Sequence, residues 1–193
     1  MNWTRTTAPV LNALSLAELR AQCRIPEDMH DDDGRVQAMG SAATAAYEQY
    51  AHRGLLTQTI TARLSDWFLI ASLPQAAPLQ SVTSVKYRAA DGTLTTLAST
   101  NYLVDTTSEP GRIVRAPNVA WPALQSDRLD SRVEVVYVVG FTAASEIPAD
   151  VKHGLLWLVD SWYWGRVPEG EIPGGVHALW APYRVWSQPM VAV

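Results

Sequence analysis

Three consecutive aspartates, Asp31, Asp32 and Asp33, precede Gly34 and form the densest group of hard oxygen ligands in the chain. A helix–loop–helix calcium site needs a ligand at its first position, glycine at its sixth and a bidentate Glu at its twelfth. With Gly34 as the loop glycine, the first and twelfth positions fall on Met29 and Gly40, so the match fails. The negative charge suits the start of a helix instead. His30, His52, His153 and His177 make no H-x-x-x-H pair, and none lies beside Cys23. A single cysteine excludes an intrachain disulfide and a cysteine-based zinc site, and suits a protein made in a reducing compartment. Asp150 and His153 share a helix face, but no nucleophile or oxyanion signature accompanies them. Gly174-Gly175 is not followed by Lys and Ser or Thr, and no G-x-S-x-G occurs. These residues read as a protein that is not an enzyme and carries no cofactor and no metal.

The elements around these residues are legible from their periods. Ser15 and Glu18 form a capping-box pattern, with Leu16, Leu19 and Cys23 on one face and Pro26 as the stop. From Asp31 to Gly54, Val36, Met39, Ala43, Ala46, Tyr47 and Tyr50 recur at three- and four-residue steps, which predicts a long central helix. Asp31–Asp33 would cap it and Gly54 would end it. At Thr57 the period becomes two, with Gln58, Ile60, Ala62 and Leu64 on one face of a strand. Val82–Tyr87 and Thr93–Leu97 flank the turn signal Asp91-Gly92. Tyr102–Asp105 and Arg112–Arg115 flank Glu109-Pro110-Gly111, with Gly111 expected at positive φ. Arg132–Phe141 reads as a mostly buried strand. A helix returns at Ile147, with Val151, Gly154, Leu155, Leu158 and Trp162 on one face and apolar residues over much of the rest. The predicted fold is α+β: a helical core made of a short N-terminal helix, a long central helix and a C-terminal apolar helix, with an inserted antiparallel β unit. The expected division is an N-terminal helical part at 1–56, the β unit at 57–142, the completing helix at 143–167 and an extended docking tail at 168–193.

A net charge of −4, with Lys86 and Lys152 as the only lysines, argues against tight nonspecific binding to nucleic acid. The N-terminal MNWTRTTAPV lacks the apolar core of a signal peptide, and no run approaches the roughly eighteen apolar residues of a membrane span. Trp157, Trp162, Trp164, Trp180 and Trp186 crowd the C-terminal third. Trp157, Trp162, Tyr163 and Trp164 are candidates for core or subunit interface. Trp180 and Trp186, in a proline-broken tail, are candidates for contacts between chains.

The order of the parts carries a resemblance. SLAEL is followed by DDD, then YEQYAHRGLLTQT, LPQAAPLQSVTSVKYRAADGT, NYLVDTTSEPGRIV, VEVVYVVGF, IPADVKHGLLWLVDSWYWGR and APYRVW. From about Leu14 to Trp186 this resembles the head-to-tail connector (adaptor) proteins of long-tailed bacteriophages and gene transfer agents. The resemblance implies a homo-oligomeric ring of about twelve subunits with heterologous interfaces. The ring would dock under the portal protein, extend the channel for double-stranded DNA without reading its sequence, and present a surface to a stopper or tail-completion protein. It would reside in the virion neck, and in host cytoplasm during assembly, with no membrane partner. A lumen poor in lysine suits DNA that must slide. Trp180, Tyr183, Arg184, Val185 and Trp186 would contact the portal or a neighbouring subunit, with Tyr183 and Trp186 as anchors and Arg184 as a charged hydrogen-bond donor. The β unit is expected at the periphery or against a neighbour, with the helices nearer the channel. A DNA-binding accessory protein of packaging and another neck component, such as a stopper, are the alternative readings.

Overall fold

The capping box forms as the residues require. Ser15 donates its backbone N–H to Glu18 Oε2 at 2.8 Å, and Glu18 returns its own N–H to Ser15 Oγ at 3.2 Å. It opens helix α1, Leu16–Cys23. Helix α2 spans Asp33–Ala51, α3 spans Ala149–Tyr163 and α4 spans Gly174–Trp180. Leu19 and Cys23 of α1 meet Val36, Met39, Ala43 and Tyr47 of α2, and Val151, Leu155, Leu158 and Trp162 of α3. These apolar faces have no other way to leave water, and their burial holds the helices together.

The computed structural model describes residues 2–26, 28–127 and 130–186. Residues 10–56 and 141–184 make the helical unit. Among the described residues, 2–9, 57–140 and 185–186 make a second unit with its own core. The helical unit marks the chain's exit and return, since Phe141 N donates to Leu55 O at 2.9 Å beside the parallel bridge Leu56–Phe141.

The second unit is built from strands β1 (Asn2–Thr7), β2 (Gln58–Leu64), β3 (Leu79–Arg88), β4 (Leu94–Thr96), β5 (Tyr102–Asp105), β6 (Arg112–Arg115) and β7 (Val133–Val139). Five form an antiparallel sheet in the order β1-β2-β7-β3-β4, and β5 and β6 form a separate two-stranded sheet. Ile60, Ala62 and Leu64 of β2 and Val133, Val135, Tyr137 and Val139 of β7 bury one face. Over them pack Trp67, Ile70, Tyr102 and Ile113. Trp67, at the start of a 3-10 turn over Trp67–Ala71, stacks on Trp121 with centroids 4.7 Å apart.

The expected helical core with an inserted β unit is not what forms. The described chain has four α-helices and seven strands in two antiparallel sheets. The β-rich part has a full core of its own, and it recruits β1 from ahead of every helix. Segment 1–14 reads as extended, but its place in the sheet does not show, because none of the six residues of β1 is buried and no alternation marks it. Gly174–Trp180 is helical where an extended tail was expected.

Three local expectations also change. Helix α2 begins at Asp33, and its N-cap Asp32 makes no side-chain cap hydrogen bond. At its other end His52 takes the left-handed conformation (φ 54°) in place of Gly54. Left-handed freedom is used at Gly92 (φ 84°) but not at Gly111. Gly111 is required for space, since a Cβ there would lie 2.3 Å from Leu79 Cβ.

Two measurements follow. The Cys23 thiol is fully buried, and desolvation, helped by the Asp160 carboxylate, pushes it up to about 11. At about pH 8 the native protein is expected to resist a thiol reagent that reacts fully once the chain is unfolded. Rapid native labelling would show that α1 opens readily. In the β5–β6 loop, Asp105 Oδ2 accepts from Ser108 Oγ at 2.5 Å and Oδ1 from Thr107 Oγ1 at 2.8 Å, with Arg112 Nη2 at 3.0 Å from Oδ2. These hydrogen bonds, led by the Ser108 hydroxyl, hold its carboxyl well below the usual aspartate range. A lowered carboxyl contributes stability above its unfolded value of about 4 and loses it as pH falls through the folded one. NMR titration should find Asp105 still ionised below about pH 4, with Ser108→Ala moving it upward. An ordinary midpoint in both proteins would contradict the loop geometry.

Candidate subunit and partner interface

The acidic run that fails as a cation site has a structural task. Asp33 Oδ1 takes the Arg20 guanidinium Nε at 2.7 Å, which ties the start of α2 to α1. Asp32 Oδ2 accepts from Tyr163 Oη at 2.7 Å, which ties it to the end of α3. The same carboxylate raises the Tyr163 phenol above its ordinary range. Arg35 lies over the Tyr163 ring, 5.4 Å from its centroid. Trp164 meets Tyr163 edge-on at 5.2 Å and is 54% exposed. An open depression of about 550 Å³ lies here, lined by Arg35, Trp162, Tyr163, Trp164, Arg166 and Glu169 among others. Arg166 Nη1 is paired with Asp160 Oδ2 at 2.6 Å.

The aromatic candidates divide by burial. Trp162 is 4% exposed and donates its indole N–H to Glu171 O at 2.9 Å. It is a core residue. Trp157, 36% exposed, lies over α4, where a Cβ on Gly175 would come within 2.3 Å of its ring. Trp180 is fully buried, edge-on to Tyr47 at 5.2 Å, with its indole N–H 3.3 Å from Val151 O. It has no surface left for a partner, so its expected contact role gives way to a core role. The sequence signal that could have placed it is Gly154, whose missing side chain makes room for the indole.

Past Trp180 the chain is fastened to the helical unit. Tyr183 is half-buried, and its carbonyl accepts from Arg53 Nη1 at 3.3 Å. Arg184 lies over the Tyr50 ring at 5.3 Å. Tyr50 itself reaches His177 O at 3.4 Å. Val185 is half-buried and Trp186 is 67% exposed. The rest of the expected docking tail, 187–193, lies outside the described residues. Asp150 and His153 are each engaged elsewhere, with Tyr183 Oη at 3.5 Å and with the Trp157 ring. Among the described residues no three His, Cys, Asp or Glu side chains gather as a metal site would require.

This is a two-unit chain whose helical unit carries a brace of charged and aromatic contacts and tryptophans at its surface. No family model and no curated protein matches it. Solved structures do. The chain is similar to one in the neck of an empty GTA particle computed with C6 symmetry, and to one in the virion of a native gene transfer agent (GTA) particle. Each match has a TM-score of 0.77 at 25% identity over 96% of both chains. A third, in the neck of a native GTA particle computed with C12 symmetry, shares the fold with a TM-score of 0.73 at 24% identity over 96% of both chains. The resemblance to the head-to-tail connector family that the ordered motifs carry is thus matched by the fold.

Proposed function

We propose that this protein is a structural, non-enzymatic component of a particle neck, and within it a ring-forming adaptor between portal and tail. The observation that carries this reading is the similarity of nearly the whole chain, at 25% identity, to chains of gene transfer agent particles. The ring docks on the portal, continues the DNA channel and offers the next neck protein its attachment surface. Heterologous contacts close it, because each copy presents one surface and receives another. A charge of −4 suits a wall that passes DNA without holding it.

The exposed aromatics supply contact surface. Trp164, beside Tyr163 and Arg35, is a subunit-contact residue, and Trp186 with Val185 belongs to the portal contact. Aromatic and arginine side chains are the usual energetic centres of such surfaces.

The test is imaging of purified, DNA-filled particles beside a mass measurement of the free protein. A rotationally symmetric ring of this chain directly beneath the portal is the expected result. Its presence only at a distant site in the tail, or its absence from particles that still join tails, would overturn the reading.

A further inference from the structure

Strand β1 is attached to its sheet in an unusual way. It pairs with β2 from Asn2–Arg63 to Thr7–Thr59, and the Thr6 and Thr61 hydroxyls share a hydrogen bond of 2.6 Å. Yet all six of its residues are exposed, Trp3 at 37% among them. An edge strand normally adds side chains to the core. This one adds main-chain hydrogen bonds and no fully buried side chain, against the full entropic cost of ordering it. The link that follows is also bare, with Val10 94% and Leu11 54% exposed. Residues 10–56 then belong to the helical unit, so about fifty residues separate β1 from the strand it pairs with.

We infer that β1 is an exchange arm: in the assembled ring the β1 of one copy pairs with the β2 edge of the next. The inference rests on the ring reading above. The occupant of the β2 edge is already identified by the structure, because that edge pairs, with one bulge between Arg5 and Thr7, with this chain's own β1. A second copy offers the same strand with the same hydrogen bonds. The ladder is therefore no worse between copies than within one, and exchange becomes favoured once a neighbour also covers Trp3, Val10 and Leu11. Exchange of an identical element is a low-cost route to association. Repeated head to tail, it links each copy to two others through one surface that gives and another that receives.

The test places thiols across the ladder. Thr4 and Thr61 are direct partners, so the full-length double variant Thr4→Cys with Thr61→Cys is assembled and mildly oxidised. Cys23 is buried and does not compete. Exchanged arms give a ladder of covalent multimers on a non-reducing gel, dissolved by reductant. Rings of normal mass containing only internally linked single chains would overturn the exchange and leave the ring reading standing. If imaging of the particles finds no ring at all, the ring reading fails on its own. Co-expressed single variants then decide the arm: covalent pairs between Thr4→Cys and Thr61→Cys chains support it, and their absence in concentrated protein overturns it. The same co-expression serves if the double variant does not fold.

Discussion

Trp180→Ala and Trp162→Ala are each expected to lower stability by about 3–5 kcal/mol, the range for large aromatics removed from a packed core. For a chain of this size that is a fall in melting temperature on the order of 10 °C. Trp180 is fully buried and Trp162 is 4% exposed, and each also leaves a carbonyl without its indole donor. The Trp180 result has a built-in control. A Cβ on Gly154 would lie 2.3 Å from Trp180 Nε1, so Gly154→Ala alone should destabilise by about 1–3 kcal/mol through overpacking. In the Trp180→Ala background the obstruction is gone, and the helix-forming preference of alanine over glycine, about 1 kcal/mol, should make the same change neutral or stabilising. Additive losses in this cycle would show that the two residues do not touch.

Removing residues 185–193 is expected to leave the helical unit folded, because Tyr183 and Arg184 keep their contacts with it. Arg53 still holds the Tyr183 carbonyl, and Arg184 still covers Tyr50. What should disappear is retention on filled heads, if Val185, Trp186 and the residues after them form the portal contact proposed above. Heads made with the shortened protein, purified and probed for it, give the answer. Normal retention with normal tail joining would move the portal contact onto the helical unit. Deleting from residue 181 instead would also remove the Tyr183 and Arg184 contacts, so loss of retention there would not separate docking from folding.

Individual elements were legible where a residue period or a turn signal marks them. Gln58–Leu64, Tyr102–Asp105 and Arg112–Arg115 form strands where the sequence pattern places them. Ser15 and Glu18 close the expected box. The architecture was harder, because β1 carries no burial signal and its partner is distant. The acidic run misled for a related reason. Short acids before a helix look like caps, and only the fold brings Arg20 and Tyr163 within reach of them. Trp180 was misplaced because Pro182 and a loop rich in proline and glycine suggested extension. A seven-residue helix fits between them, too short for its period to stand out.

The interleaving of the two units sets an order of events during synthesis. All seven strands have been made once residue 139 is complete, whereas the helical unit still waits for α3 and α4. The older helices, α1 and α2, have only each other to cover Val36, Met39, Ala43 and Tyr47 while about a hundred further residues are added, a delay of roughly 5–20 s at ordinary elongation rates. A nascent chain of this design matures in its middle before its beginning. Its vulnerable interval is the wait of α2 for α3, and a chaperone that shelters apolar helices would act on it there.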